Sequence, residues 1–150
     1  MLVLENVLKS MPNVHFYWAG DGQYKEKILK VLEKFENFHW LGSLQYPDKV
    51  REYLTEIDIY ALISGMDLAP LTLKEAQLMK KPVIATDVGG IYEMMKDGET
   101  GFLVKEGDDK DLIKKISLLI KDKNYQLNWV KKVVILFNKN LAWKLVQRIF

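Results

Sequence analysis

The chain has 150 residues, 49% hydrophobic and 11% aromatic, which is enough to bury one core and excludes a disordered polymer. Twenty-two Lys and Arg against 20 Asp and Glu leave a net charge of +2, too even a balance for a dedicated nucleic-acid binder. Cysteine is absent and histidine occurs twice, which rules out disulfide frameworks, thiolate zinc sites, cysteine nucleophiles and a His-built metal centre.

Taken in chain order, Val14 to Ala19 (VHFYWA) is apolar on both faces, as in a strand buried within a parallel sheet. Gly20-Asp21-Gly22 turns the chain into a helix-period segment, Gln23 to Phe35, whose stripe is Ile28, Leu29, Leu32 and Phe35. Phe38 to Leu41 is a short strand closed by Gly42, Asp48 to Leu54 a helix, and Ile57 to Ile63 another buried strand. Leu71 to Lys80 is helical and stops before Pro82, because the residue preceding a proline is pushed out of the helical region. Pro82 to Thr86 is a β-branched strand, Val88-Gly89-Gly90 a turn, Ile91 to Lys96 a brief helix and Gly101 to Val104 a strand edge. Asp108 or Asp109 caps a helix that runs to Ile120, and two helical stretches, Tyr125 to Phe137 and Leu141 to Phe150, follow.

Strands alternating with helices through short glycine-containing joints predict an α/β, Rossmann-like open parallel sheet with helices on both faces, built from residues 1–150 as a single domain. The longest apolar runs, such as Val133 to Phe137, are far shorter than a membrane span, and MLVLENVLKSMPN has no basic lead or cleavage site. A cytoplasmic location is therefore expected. Ligands of such sheets sit beyond the carboxyl ends of the strands. That directs attention to the loops after Ala19, Leu41, Ile63 and Thr86.

The richest stretch is Ser64 to Gly90, SGMDLAPLTLKEAQLMKKPVIATDVGG. Pro70 precedes the helix that begins near Leu71, and the first amides, at Leu71 and Thr72, have no intrahelical acceptor and carry positive dipole suited to a phosphate. Glu75 lies one turn further on, with Leu71 at i−4 and Met79 at i+4, so it lacks the usual i,i+4 ion-pair partner. Its carboxylate either accepts two hydroxyl protons from a ribose or contacts Lys74 or Lys80 in solvent. Asp67 either engages a sugar hydroxyl or serves as an ordinary loop turn residue. Elsewhere, Gly20-Asp21-Gly22 has Lys25 where a dinucleotide fingerprint wants its third glycine, and so reads as a tight turn. His15 reads as a core or interface residue, His39 as structural, and Trp18, Trp40, Trp129 and Trp143 as packing residues.

Asp67 and Glu75 followed by Ala76, then KKPVIATDVGG (Lys80 to Gly90) and DGETGFLV (Asp97 to Val104), resemble the C-terminal domain of retaining glycosyltransferases of family 4, with the GT-B fold. Ala19-Gly20-Asp21-Gly22, Trp40-Leu41-Gly42 and Ile57-Asp58-Ile59-Tyr60 support the resemblance, and Leu141-Ala142-Trp143 resembles the family's closing helix. The resemblance implies a hexosyltransferase whose donor is a UDP-, GDP- or ADP-sugar, with no cofactor and no essential metal. It places Glu75 on the ribose, Asp67 at the catalytic position on the donor sugar, the Leu71 and Thr72 amides on the diphosphate, and Ser43, Leu44 and Lys49 near the base. Asp67 stands where the family usually has Glu, and Pro70 where it often has Gly, which removes one donor-binding amide.

The family's first strand carries an Arg, followed by a Lys-Gly pair, that grip the diphosphate; nothing before Val14 matches it. The acceptor-binding N-terminal domain also has no counterpart here. The resemblance therefore implies either a donor-binding domain that works with a separate N-terminal polypeptide or a missing N-terminal segment, or a non-catalytic nucleotide-binding or interaction subunit that meets a partner or self-associates. Scattered Lys114, Lys115, Lys131 and Lys132 fit either loose contact with a membrane surface or a solvated helix face.

Overall fold

The computed structural model describes residues 2–65 and 70–122. Among the described residues eleven elements occur, α1 (Leu2–Ser10), β1 (Phe16–Ala19), α2 (Lys25–Leu32), β2 (Phe38–Gly42), α3 (Asp48–Glu56), β3 (Tyr60–Leu62), α4 (Leu71–Leu78), β4 (Val83–Thr86), α5 (Ile91–Met94), β5 (Phe102–Val104) and α6 (Asp109–Lys121), and from β1 onwards they alternate as expected. Every strand pairing is parallel. The helical stretches expected at Tyr125 to Phe137 and Leu141 to Phe150, and with them Trp129, Lys131, Lys132 and Trp143, lie outside the described residues.

Alternation along β4 divides the core in two. Val83 and Ala85 face Leu54 of α3, Leu73 and Ala76 of α4, and Ile91 of α5. Ile84 points the other way, onto Phe102 and Val104 of β5, Val7 of α1, and Leu112, Ile116 and Leu119 of α6. Side chains of period two on a strand require a layer on each face, and these two clusters supply them. All four residues of β4 are buried, which matches their continuous apolar and β-branched sequence.

The strands do not form one continuous sheet. β1 pairs with β2, while β3, β4 and β5 form a separate three-stranded sheet. Instead of a strand, the outer edge of β1 meets the Tyr53 hydroxyl, which donates to the Tyr17 carbonyl at 2.9 Å. Among the described residues, the sheet orders β2-β1 and β3-β4-β5 correspond to 3-2 and 4-5-6 of the doubly wound order 3-2-1-4-5-6, with no described strand in place 1. This explains two departures from the double-sided burial expected of these segments. Tyr17 is 47% exposed, and Ala61, in the middle of β3, is also exposed.

Several element ends differ by a few residues, each for a local reason. The third strand begins at Tyr60 rather than Ile57, because the Ile57 amide still closes the last turn of α3 on Tyr53. α4 ends at Leu78, and Lys80 takes φ 60° while its amide and that of Lys81 return to Gln77 and Ala76, a left-handed helix closure. Asp108 is the cap of α6, its carboxylate accepting the Asp111 amide at 2.9 Å. Gly20 (φ 139°) makes the tight turn after β1, and Lys25 pairs there with Asp21 at 3.6 Å and lies 4.0 Å from the centre of the Trp40 ring. His15 is exposed rather than a core residue: its Nδ1 is 2.9 Å from His39 Nε2, and the two rings stack.

Candidate functional site at the start of helix α4

The carboxyl end of β3 leads through Ser64 and Gly65 towards α4. Thr86, buried at the end of β4, fixes the departure of this loop. Its hydroxyl donates to the Ser64 carbonyl at 2.6 Å and accepts the Ser64 amide at 3.0 Å. Asp67 follows within residues 66–69, outside the described residues.

α4 begins at Leu71 after a buried, extended Pro70, and no side chain caps it. The Leu73 amide already donates to the Pro70 carbonyl at 3.2 Å. The amides of Leu71 and Thr72 precede the first intrahelical acceptor, so they are the donors this terminus can offer to an anion. Both residues are exposed, Leu71 by 76%. The Thr72 hydroxyl is anchored to the Tyr60 hydroxyl at 2.8 Å, which ties the first turn of α4 to the start of β3.

Glu75 sits one turn into α4 and is 7% exposed, a buried carboxylate on a helix whose neighbouring positions Leu73 and Ala76 belong to the core. This decides between its two sequence readings in one respect: it is not a solvent-facing helix Glu beside Lys74 or Lys80. Lys74 turns away to donate to the Met94 carbonyl at 2.9 Å, and burial pushes its ammonium below the usual lysine range. Lys80 lies past the end of the helix. A buried carboxylate needs donors, since it can only accept. Burial raises the Tyr46 phenol above its ordinary value, and the Glu75 carboxylate adds to the rise.

Tyr46 belongs to the loop between β2 and α3, which runs Ser43-Leu44-Gln45-Tyr46 and enters α3 through a cis Tyr46–Pro47 peptide. Ser43, exposed, and Leu44, half-buried, precede Tyr46 in that loop. Lys49 stands on the first turn of α3 with its ammonium held by Glu52 at 2.6 Å, a surface pair that raises the lysine's pKa. Arg51, one turn into α3 and half-buried, is close enough to Tyr46 to pull its pKa down. Sequence reasoning passed over Tyr46 and Arg51. Tyr46 had a signal, for it lies in the same loop as Ser43 and Leu44; Arg51 looked like any charged helix residue.

Among the described residues no cluster of three or more His, Asp or Glu is placed to hold a metal ion. No described helix is long and apolar enough to cross a membrane.

A model of the family "Glycosyl transferases group 1" matches residues 2–122, which span α1 to the end of α6. The chain belongs to this family. The capsular polysaccharide biosynthesis glycosyltransferase CapM of Staphylococcus aureus is 35% identical over 80 residues, covering 51% of this chain and 21% of CapM. The sulfoquinovosyl transferase SQD2 of Arabidopsis thaliana is 29% identical over 124 residues, covering 81% of this chain and 24% of that protein. The group 1 chain thus spans roughly a fifth to a quarter of the length of these relatives.

Solved structures of GT-B glycosyltransferases share its fold. Anabaena Alr3699/HepE in complex with UDP-glucose superimposes with a TM-score of 0.79 at 22% identity, over 98% of this chain and 45% of that one. The S. aureus TarM complex that contains UDP gives 0.74 at 25% identity, over 88% of this chain and 27% of TarM. The fold is accordingly α/β and Rossmann-like, one half of a GT-B architecture.

Proposed function

We propose that residues 1–150 form the donor-binding domain of a retaining family 4 glycosyltransferase, which takes a hexosyl group from a nucleoside diphosphate sugar and passes it to an acceptor held by another domain or polypeptide. The observation that carries this reading is the buried Glu75 carboxylate, one turn behind the uncapped start of α4. An anion at the first amides and a diol at a carboxylate one turn on are the two requirements of a ribose diphosphate. A helix start alone binds water as readily as phosphate, but a helix start beside a buried acceptor-only group has two of the needed features together.

In this reading the Leu71 and Thr72 amides take the diphosphate and Glu75 takes the ribose hydroxyls. Pro70 shapes the entry without offering an amide. Ser43 and Leu44 lie along the base, with Lys49 at the edge of that segment. Asp67 orients the donor sugar, and its carboxylate balances positive charge developing at the anomeric carbon as the diphosphate leaves. The acceptor hydroxyl attacks from the front face and gives its proton to the departing diphosphate oxygen, which retains the anomeric configuration with no metal required and no covalent bond to the enzyme. A chain working in this way is expected in the cytoplasm, where nucleotide sugars are made.

Titration calorimetry with UDP, GDP, ADP and their hexose conjugates tests the reading, beside a Glu75→Ala variant. The expected result is binding that prefers one base and weakens by about tenfold or more in the variant, the scale of a lost charge-assisted hydrogen bond. Equal binding by both proteins, or none at millimolar nucleotide, overturns the reading.

A further inference from the structure

The chain's two histidines lie at the amino ends of their strands, whereas α4 starts beyond a carboxyl end: His15 stands just before β1 and His39 is the second residue of β2. Parallel pairing puts Tyr17 opposite His39, and His15, two residues before Tyr17, shares that face of the sheet. His15 is exposed and His39 half-buried. His15 Nδ1 lies 2.9 Å from His39 Nε2, with the two ring planes 16° from parallel. The Tyr17 ring packs on His39 at 4.6 Å between centres and holds its plane. Two imidazole nitrogens facing each other at this distance share one proton, which one donates and the other accepts. The pair is thus arranged around a single cation, and a metal ion bound by neutral imidazoles takes the place of that proton.

We propose that His15 and His39 form a surface chelate for a divalent late transition metal, copper(II) or nickel(II), which clips the start of β1 to β2. Two metal–nitrogen bonds of about 2.0–2.1 Å span about 2.9 Å when they meet at a right angle and about 3.4 Å at a tetrahedral angle. The observed 2.9 Å is therefore the span of neighbouring positions in a square-planar or octahedral shell. Two histidines are too few to enclose a structural zinc ion, but copper(II) and nickel(II) accept two imidazoles side by side and water in the remaining positions. Little has to move: an exposed His15 ring has little packing to lose on turning its lone pair towards the shared point. The site is independent of the donor-site reading.

The test titrates the full chain with copper sulfate, nickel chloride and zinc chloride by calorimetry, beside His15→Ala and His39→Gln. Circular dichroism checks that the metal-free variants are folded, which the exposure of His15 and the retained polar side chain at position 39 favour. Wild type should bind one copper(II) per chain, with nickel(II) weaker and zinc(II) weaker still. Its melting temperature should rise with added copper(II), because a ligand of the folded state alone stabilises that state. Nitrogen hyperfine structure in the electron paramagnetic resonance spectrum should report two equatorial imidazoles on the copper. Each variant should lose both the one-to-one site and the rise in melting temperature. Copper(II) bound equally by wild type and both variants, no binding by wild type, or zinc(II) held more tightly than nickel(II) would overturn the proposal.

Discussion

Replacing Asn37 by Asp alters few atoms and should be among the most damaging changes in this chain. Asn37 is 6% exposed, and its amide nitrogen donates to the carbonyls of Leu8 (3.2 Å), Met11 (3.0 Å) and Val14 (3.1 Å). Its main-chain carbonyl accepts the Phe16 amide at 2.8 Å. One residue thus ties the end of α1, the approach to β1 and the start of β2 together. The amide has two hydrogens, so the three contacts share about two bonds, each worth about 1 kcal/mol net. Counting carbonyls left buried without a donor, Asn37→Ala should cost about 2–3 kcal/mol. Asp turns an oxygen towards three carbonyl oxygens and, when ionised, places an unpaired charge there, for about 3–5 kcal/mol at neutral pH. The same geometry sets the sign of the pH dependence. Burial among acceptors raises the folded-state pKa of this Asp above its unfolded value. Stability is therefore best retained below the unfolded pKa, where the acid is protonated in both states and donates one bond, and is lost as pH rises towards the folded pKa. Urea unfolding at about pH 4 and about pH 7, followed by the fluorescence of Trp18 and Trp40 in the affected strands, measures both effects. An Asp variant within about 0.5 kcal/mol of wild type at neutral pH, or a penalty that does not change with pH, would refute this reasoning.

Two further substitutions probe the packing around the site. A methyl group on Gly101 would clash with the Met95 side chain and meet the Val83 carbonyl oxygen at 2.8 Å, so Gly101→Ala should lower stability by about 1–3 kcal/mol; an unchanged melting temperature would mean that β4 and β5 yield more easily than their burial suggests. Burial, with a smaller contribution from Tyr60, pushes the Tyr53 phenol up to about 12. The unfolded chain therefore ionises this tyrosine first, and its contribution, complete below the unfolded pKa of about 10, is lost as pH climbs towards 12. Tyr53→Phe should flatten that alkaline fall while costing about 1 kcal/mol at neutral pH for the bond to the Tyr17 carbonyl. Stability curves of the two proteins that stay parallel above pH 10 would contradict this.

Much of the fold was legible because its signals are local. β4 announces itself by a β-branched apolar run after a proline, and α6 by an aspartate cap and a clean apolar stripe. The division into two sheets was not legible, since Val14 to Ala19 and Ile57 to Ile63 look like interior strands and nothing in either segment records which neighbour is present. The exposure of Tyr17 and Ala61 arises from pairing, a property of the whole sheet. At the site, the uncapped start of α4 follows from Pro70, which offers no capping side chain. The burial of Glu75 had a partial sign in its missing i,i+4 partner. Its influence on Tyr46 had none, because that depends on how α3 and α4 pack on β4.

The most direct test of the central claim is backbone amide hydrogen exchange of this chain, read residue by residue with and without saturating UDP-glucose. The account predicts slower exchange at Leu71 and Thr72 and along Ser43 to Tyr46, with α1 and α2 unaffected. Nucleotide binding that protects other residues and leaves the start of α4 exchanging as before would contradict it.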